Sequence, residues 1–331
     1  MDLKRSYAQD FRLFRDTPER IGFVLLVVAL LAFPPLAAAT NSTYLVFRAC
    51  LAGVYVIGAI GLNLLVGYTG QISIGHAGFL AIGAYATSLL QLKLGAPFWI
   101  ALPAGGLVAA AFGFLVGLPA LRMTGPYLAI ATVGFGVAVQ QVLVKWEGLS
   151  GGSLGIHPPR PVLGGFTFDS ETRLYYVIIP LAVLLTVLAV NLVRSRIGRA
   201  LIAIRDSDIA AEAMGVNLVL YKTLAFAVSA FYAGVAGGLL AALVGFISPE
   251  SFNIIESINY LTMIVVGGLG SILGSVLGAL LVSVLQHLLS GVKSLPQVVY
   301  GLILVLVVIF EPLGLRGRWL KIRFYWRAFP F

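Results

Sequence analysis

An all-helical polytopic membrane protein with about ten transmembrane helices, some broken or short and glycine-rich, is the fold class this sequence predicts. Three observations predict it. Of 331 residues, 60% are hydrophobic and only 11% charged, where a soluble domain carries roughly a quarter charged. The mean hydropathy is +1.00, and the few charges leave long uncharged runs between them. Two of those runs, from Ala49 to Leu92 and from Ser257 to Val292, are too long for one crossing of about 20 residues, so each holds two.

The charges delimit helices near 21–40, 46–66, 72–91, 98–119, 126–145, 174–193, 223–246, 257–268, 271–290 and 296–313. The first resembles the hydrophobic core of a secretory signal, with Ala37-Ala38-Ala39 as a cleavage-like site. Its long charged lead and its length favour an uncleaved first helix. Helices 46–66 and 72–91 flank Gly67-Tyr68-Thr69-Gly70-Gln71-Ile72-Ser73-Ile74-Gly75-His76. Membrane interiors penalise unpaired backbone, so glycines and polar side chains there indicate a broken or re-entrant helix lining a path, or very close helix packing. Gly267-Gly268-Leu269-Gly270-Ser271 is a second break of similar composition, and the helix before it is short enough for a half-crossing.

Ten crossings put both termini on one side, and the positive-inside rule agrees. Sixteen Lys and Arg fall on the inferred cytoplasmic side and six on the other. The domain plan is therefore a cytoplasmic segment 1–20, a transmembrane domain 21–313, and a basic cytoplasmic tail 314–331. An outer loop spans 147–173 and a cytoplasmic loop 194–222. The net charge of +9 is an orientation signal, not a nucleic-acid footprint. The Phe324-Tyr325-Trp326 cluster fits an interfacial aromatic belt.

Within the inner loop, Asp206, Ser207 and Asp208 are good N-cap types and Gly215 suits the position past a helix end. Between them lie two turns offering Ile209, Ala210, Ala213 and Met214 as an apolar face. Such a helix is either a knob for a soluble partner or an amphipathic segment on lipid headgroups. The outer loop holds Ser150-Gly151-Gly152-Ser153-Leu154-Gly155 and Pro158-Pro159-Arg160-Pro161, which rule out a long regular helix.

Gln71, Ser73 and His76 either meet a substrate as it crosses or hydrogen-bond backbone freed by the break; the second reading is preferred for His76. Asn63, Gln140, Gln141 and Asn191 are read as interhelical hydrogen-bond partners, and Cys50 as a small hydrophobe. Glu256 and Glu311 flank spans at the interfaces, so no carboxylate falls in mid-span. That counts against a stand-alone secondary transporter or channel. No Walker phosphate loop and no His-Glu-x-x-His occurs, and no Ser/His/Asp grouping falls on one side. An integral membrane enzyme is disfavoured, and no metal or cofactor is expected on this chain.

These residues resemble a known family, the permease subunits of branched-chain amino acid ABC importers. The resemblance rests on Asn63-Leu64-Leu65-Val66-Gly67 running on to Phe79, Gly125-Pro126-Tyr127-Leu128-Ala129-Ile130-Ala131-Thr132, and Ser150–Ile156. It continues through the inner loop to Tyr221-Lys222, Val266-Gly267-Gly268-Leu269-Gly270-Ser271, and Phe310-Glu311-Pro312-Leu313-Gly314-Leu315. The chain looks like the longer of two non-identical permeases, with an architecture resembling the larger ABC importer permeases. The resemblance implies a second homologous permease, two cytoplasmic ATPases that bind ATP and Mg, and an extracytoplasmic binding protein, in a bacterial inner membrane. It places Arg205, Asp206, Asp208, Glu212, Met214 and Gly215 in a helix that docks on an ATPase. Gly151, Gly152 and Gly155 would face the binding protein. Gly67, Gly70, Gln71, Ser73, His76, Gly267 and Gly270 are candidates for the translocation path. Relatives carry branched-chain amino acids, but also urea, short amides and small aromatic acids, and these residues do not choose among them.

Overall fold

The longest uncharged run of the sequence becomes the centre of the molecule. In the computed structural model, which describes residues 30, 32–35, 43–123, 125–163, 166–288, 295–310, 314–315 and 317–318, helix α1 (Thr43–Thr69) is enclosed by protein along most of its length. It is apolar on every side, as a helix buried in a membrane protein should be. Four long helices follow or flank it: α2 (His76–Leu94), α3 (Phe98–Ala120), α4 (Pro126–Lys145) and α5 (Glu171–Arg194). Two short helices, α6 (Arg196–Asp206) and α7 (Asp208–Ala213), then lead into α8 (Leu218–Val244). The chain continues through α9 (Ile254–Gly267), α10 (Ile272–Leu288) and α11 (Leu295–Phe310). The β-structure among the described residues is a two-residue hairpin, Val162–Leu163 against Phe166–Thr167, and an isolated bridge between Ile156 and Ile247.

Among the described residues six helices, α1 to α5 and α8, are long and apolar enough to cross a membrane; α9 and α10 are shorter apolar helices. The expected helix at 21–40 lies outside the described residues except at 30 and 32–35, where Leu30 O accepts from Tyr175 Oη at 2.8 Å and Phe33 stacks on Tyr175. The C-terminal tail lies almost wholly outside them.

Small residues set the packing. Lipid tails are as apolar as leucine, so membrane helices associate through close backbone contact. α8 crosses both α2 and α3 on glycine: a methyl group on Gly83 would overlap the Gly234 backbone, and one on Gly237 would overlap the Leu80 carbonyl. Gly113 meets Ala230 and the Phe226 carbonyl in the same way. α4 and α5, by contrast, leave most of their surface uncovered.

The helix expected at 72–91 starts four residues later. Residues 70–75 stay non-helical because their backbone is held from outside, Ile74 N donating to Thr132 Oγ1 at 3.0 Å. The loop expected at 194–222 is largely helical. α6 was not anticipated, although Ser195 caps it and Ile197, Leu201 and Ile204 repeat at helical spacing. The 147–173 loop lies at the Thr43 end of α1, where Cys50 Sγ faces Glu171 O at 3.7 Å. The 194–222 loop lies at the Thr69 end, where Arg205 reaches Gly67. The two loops therefore occupy opposite ends of the bundle.

Candidate functional site

The first glycine-rich stretch is a return path. At the end of α1 the Thr69 hydroxyl bonds the Leu65 carbonyl, Gly70 N donates to Val66 O, and Gly70 takes φ +71°, which reverses the chain. Residues 70–75 then run back along α1. His76, at the start of α2, places Nε2 3.0 Å from Gly58 O. Gly58 precedes Thr69 by eleven residues, about 16 Å along the helix, so α2 begins near mid-height of α1. Gly58 is glycine because the Tyr260 ring occupies the space of its side chain.

α9 also begins inside. Ala77 N, in the first turn of α2, donates to Ser257 Oγ of α9 at 2.9 Å, and the Tyr260 ring lies edge-on to His76 with centroids 5.4 Å apart. The chain from Gly245 to Asn253 has thus moved inward before α9 starts. Glu256 corrects the sequence reading. It lies beside this mid-height contact rather than at an interface, and its carboxylate accepts from Asn259 Nδ2 at 3.1 Å. The reason is that α9 starts within the bundle, which a charge-delimited span cannot reveal. Two discontinuous segments entering from opposite ends and meeting midway is the arrangement in which membrane proteins build internal sites.

Between the two helix starts and α4 lies a cavity of about 10 Å³, room for one water, lined by Ile74, Ala77, Gly136, Gln140, Asn253 and Ser257. Gln71 donates from Nε2 to Thr69 Oγ1 at 3.1 Å. Gln71 Oε1, Ser73 Oγ and His76 Nδ1 are buried with no hydrogen-bond partner among the described residues. The reading preferred for His76, a bond to backbone freed by the break, differs from what is found: one ring nitrogen is spent on the Gly58 carbonyl, in the middle of α1.

The second glycine-rich stretch is a tight hairpin between α9 and α10. Side chains on Gly267 or Gly278 would overlap the backbone of the facing helix. Asn63, fully buried, ties this hairpin to α1. Its Oδ1 accepts from Gly270 N at 2.9 Å, and its Nδ2 donates to Ser271 O at 2.9 Å and Ser275 Oγ at 2.6 Å. The interhelical role expected of Asn63 is what the structure contains. Gly67 fits directly against Gly270, so the two stretches that resemble one another in sequence are packed together at the Thr69 end.

The inner-loop residues surround that junction. Ser207, extended at φ −166°, separates α6 from α7, and its Oγ accepts from Ala210 N at 3.3 Å. Of the three N-cap candidates the cap is Ser207; Asp206 ends α6 and Asp208 opens α7. Gly215, at φ +84°, lies just past the helix end. Asp208 Oδ2 pairs with Lys222 Nζ at 2.6 Å, a buried lysine in the first turns of α8. Arg205 pairs with Asp206 at 3.2 Å and donates from Nη1 to Gly67 O at 3.2 Å. The expected apolar face of α7 points outward: Ile209 is 83% exposed and Met214 85%, with Glu212 exposed beside them and Ala211 turned inward. The Lys222 and Arg205 contacts were not legible in the sequence, since each joins residues brought together only by folding.

At the opposite end Gly151, Gly152 and Gly155 all take positive φ. Gly155 lies against the Ile247 carbonyl, and Ile156 and Ile247 exchange backbone hydrogen bonds of 2.9 and 3.0 Å. These glycines shape the loop, and Leu154 between them projects outward, 87% exposed.

Helices glycine-packed around a buried α1, two helices that start at mid-height and a braced knob at one end define a multi-pass helical membrane protein. Comparison with known proteins makes this particular. Residues 44–310 match the family described as branched-chain amino acid transport system / permease component, and the chain belongs to that family. It is 36% identical to the high-affinity branched-chain amino acid transport system permease protein LivM of Salmonella typhimurium, and 37% identical to LivM of Escherichia coli. Each match covers 90% of this chain and 75% of the relative. It is also 27% identical to LivH of Escherichia coli K12, over 81% of this chain and 92% of that one. No solved structure gives a significant match.

Proposed function

We propose that the chain is one transmembrane subunit of an ATP-driven importer for branched-chain or related amino acids, resident in a bacterial inner membrane. About ten crossings, with both termini cytoplasmic, make up residues 21–313. A second homologous permease completes the path, two ATPases bind the nucleotide, and an extracytoplasmic binding protein delivers substrate to the face that carries Gly151–Gly155. LivM is similar over most of this chain, and LivH is a more distant relative named for the same transport system; that supports a paired arrangement.

The observation that carries the reading is α7. A short helix that exposes Ile209 and Met214 while Lys222 and Ser207 hold it in place is built to be gripped from outside. The ATPases push on α7, and the permease pair switches the side to which its path opens. ATP and Mg belong to the partners. The test is mild-detergent purification from native membranes with mass spectrometry. Two ATPases and a second permease are expected to co-purify; a chain recovered alone, with uptake that collapses with the ion gradient, would refute the reading. Competition for uptake in vesicles among leucine, urea, short amides and aromatic acids identifies the substrate.

A further inference from the structure

Arg205 reaches inward rather than toward the exposed face of α7. Its guanidinium lies where the C-terminal ends of α1 and α9 come together. Nη1 donates to the Gly67 carbonyl in the last turn of α1. The same nitrogen lies so close to Gly270 that a methyl group there would stand 2.9 Å from it. The aliphatic stem crosses Gly70, where an added methyl would sit 3.3 Å from Arg205 Cγ. Helix C-termini carry unpaired carbonyls and partial negative charge, so a cation is well placed between two of them. Gly70 and Gly270 both hold positive φ, at +71° and +70°; Gly70 begins the reversal after α1, and Gly270 completes the one between α9 and α10.

We propose that Arg205 is a positioning residue that fastens the inner loop to both glycine turns at once, so that displacement of α7 moves the ends of α1 and α9 together. Two residues separate Arg205 from Asp208, the anchor of α7 on α8, so the loop has one attachment on each side of Ser207. Force applied to Ile209 and Met214 pivots α7 about Lys222 and is delivered through Arg205 to the α1 and α9–α10 junction. Asp206 pairs with the guanidinium from the solvent side and keeps it directed at the turns. The proposal rests on the reading of α7 as the surface gripped by an ATPase.

The test uses proteoliposomes holding the complete co-purified complex and measures substrate imported per ATP hydrolysed. Arg205→Ala is expected to lower that ratio at least ten-fold while the ATPases still co-purify. Arg205→Lys, which keeps the charge but spans only one turn, is expected to recover part of it. Arg205→Met keeps the aliphatic stem over Gly70 and removes the donor to Gly67 O; it is expected to lower the ratio as well, and it decides the matter if the Arg205→Ala chain does not accumulate. An unchanged ratio in these variants overturns the proposal. So does loss of the ATPases from Arg205→Ala, which would make Arg205 a docking contact instead. The underlying reading fails with a separate signature: a cysteine replacing Met214 that never cross-links to the ATPase in an otherwise unaltered complex.

Discussion

Asn63 illustrates how one polar side chain organises a membrane interior. It is fully buried, and it supplies one acceptor and two donor contacts to a hairpin more than two hundred residues away. A side-chain amide in lipid must find partners or bear a desolvation cost, and the partners it finds fix the α9–α10 turn against Gly67. Interhelical hydrogen bonds inside a bilayer contribute roughly 0.6 kcal/mol each. Asn63→Leu, which loses three, should therefore destabilise the fold by about 2 kcal/mol, read as a lowered midpoint of thermal unfolding in detergent. An unchanged midpoint would mean that these contacts are replaceable. The sequence announced Asn63 as an interhelical residue because polar groups in apolar runs are costly. It did not announce the partners, because Ser271 and Ser275 look like ordinary small helix-packing residues.

The two-part inner loop shows how elements divide labour. α6 packs inward through Gly198, Leu201 and Ile204, whereas α7 buries Ala211 and leaves Ile209 and Met214 outside. A six-residue helix is too short to persist on its own in water. It persists here because Ser207 caps it, Gly215 ends it, and Lys222 anchors its first residue. Deleting 207–214 should leave insertion of the chain in the membrane intact, since no transmembrane helix is touched. ATP-driven uptake in vesicles should fall at least ten-fold. Wild-type uptake by the deletion variant would remove α7 from the mechanism. The start of α7 and its end were legible from Ser207 and Gly215, residue types with local backbone preferences. The outward direction of its apolar face was not, because a helix can turn the same residues to lipid or to a partner.

At the scale of the whole molecule, polarity across the bundle is the decisive property. The 147–173 and 194–222 loops lie at opposite ends of α1, as the assignment of the two loops to opposite sides of the membrane requires. The orientation of that polarity has a direct check. A cysteine replacing Ala210, exposed on α7, should resist a membrane-impermeant thiol reagent in sealed cells and react once the membrane is opened. Cys50 is buried and adds no background. Labelling of intact cells would place α7 on the outer side and exclude contact with an ATPase.

The sequence by itself determined that the chain is helical and multi-pass, where its long apolar helices lie, and where they break. Those properties follow from local energies: the cost of charge and unpaired backbone in lipid, and the backbone freedom of glycine. Only the tertiary structure decided that α2 and α9 both begin at mid-height, that Glu256 lies there with them, and that the two glycine turns meet under Arg205. Each of these is a contact between segments far apart in the chain. No local preference encodes it; the requirement to fill space and pair every buried polar group, imposed on all the helices together, selects it.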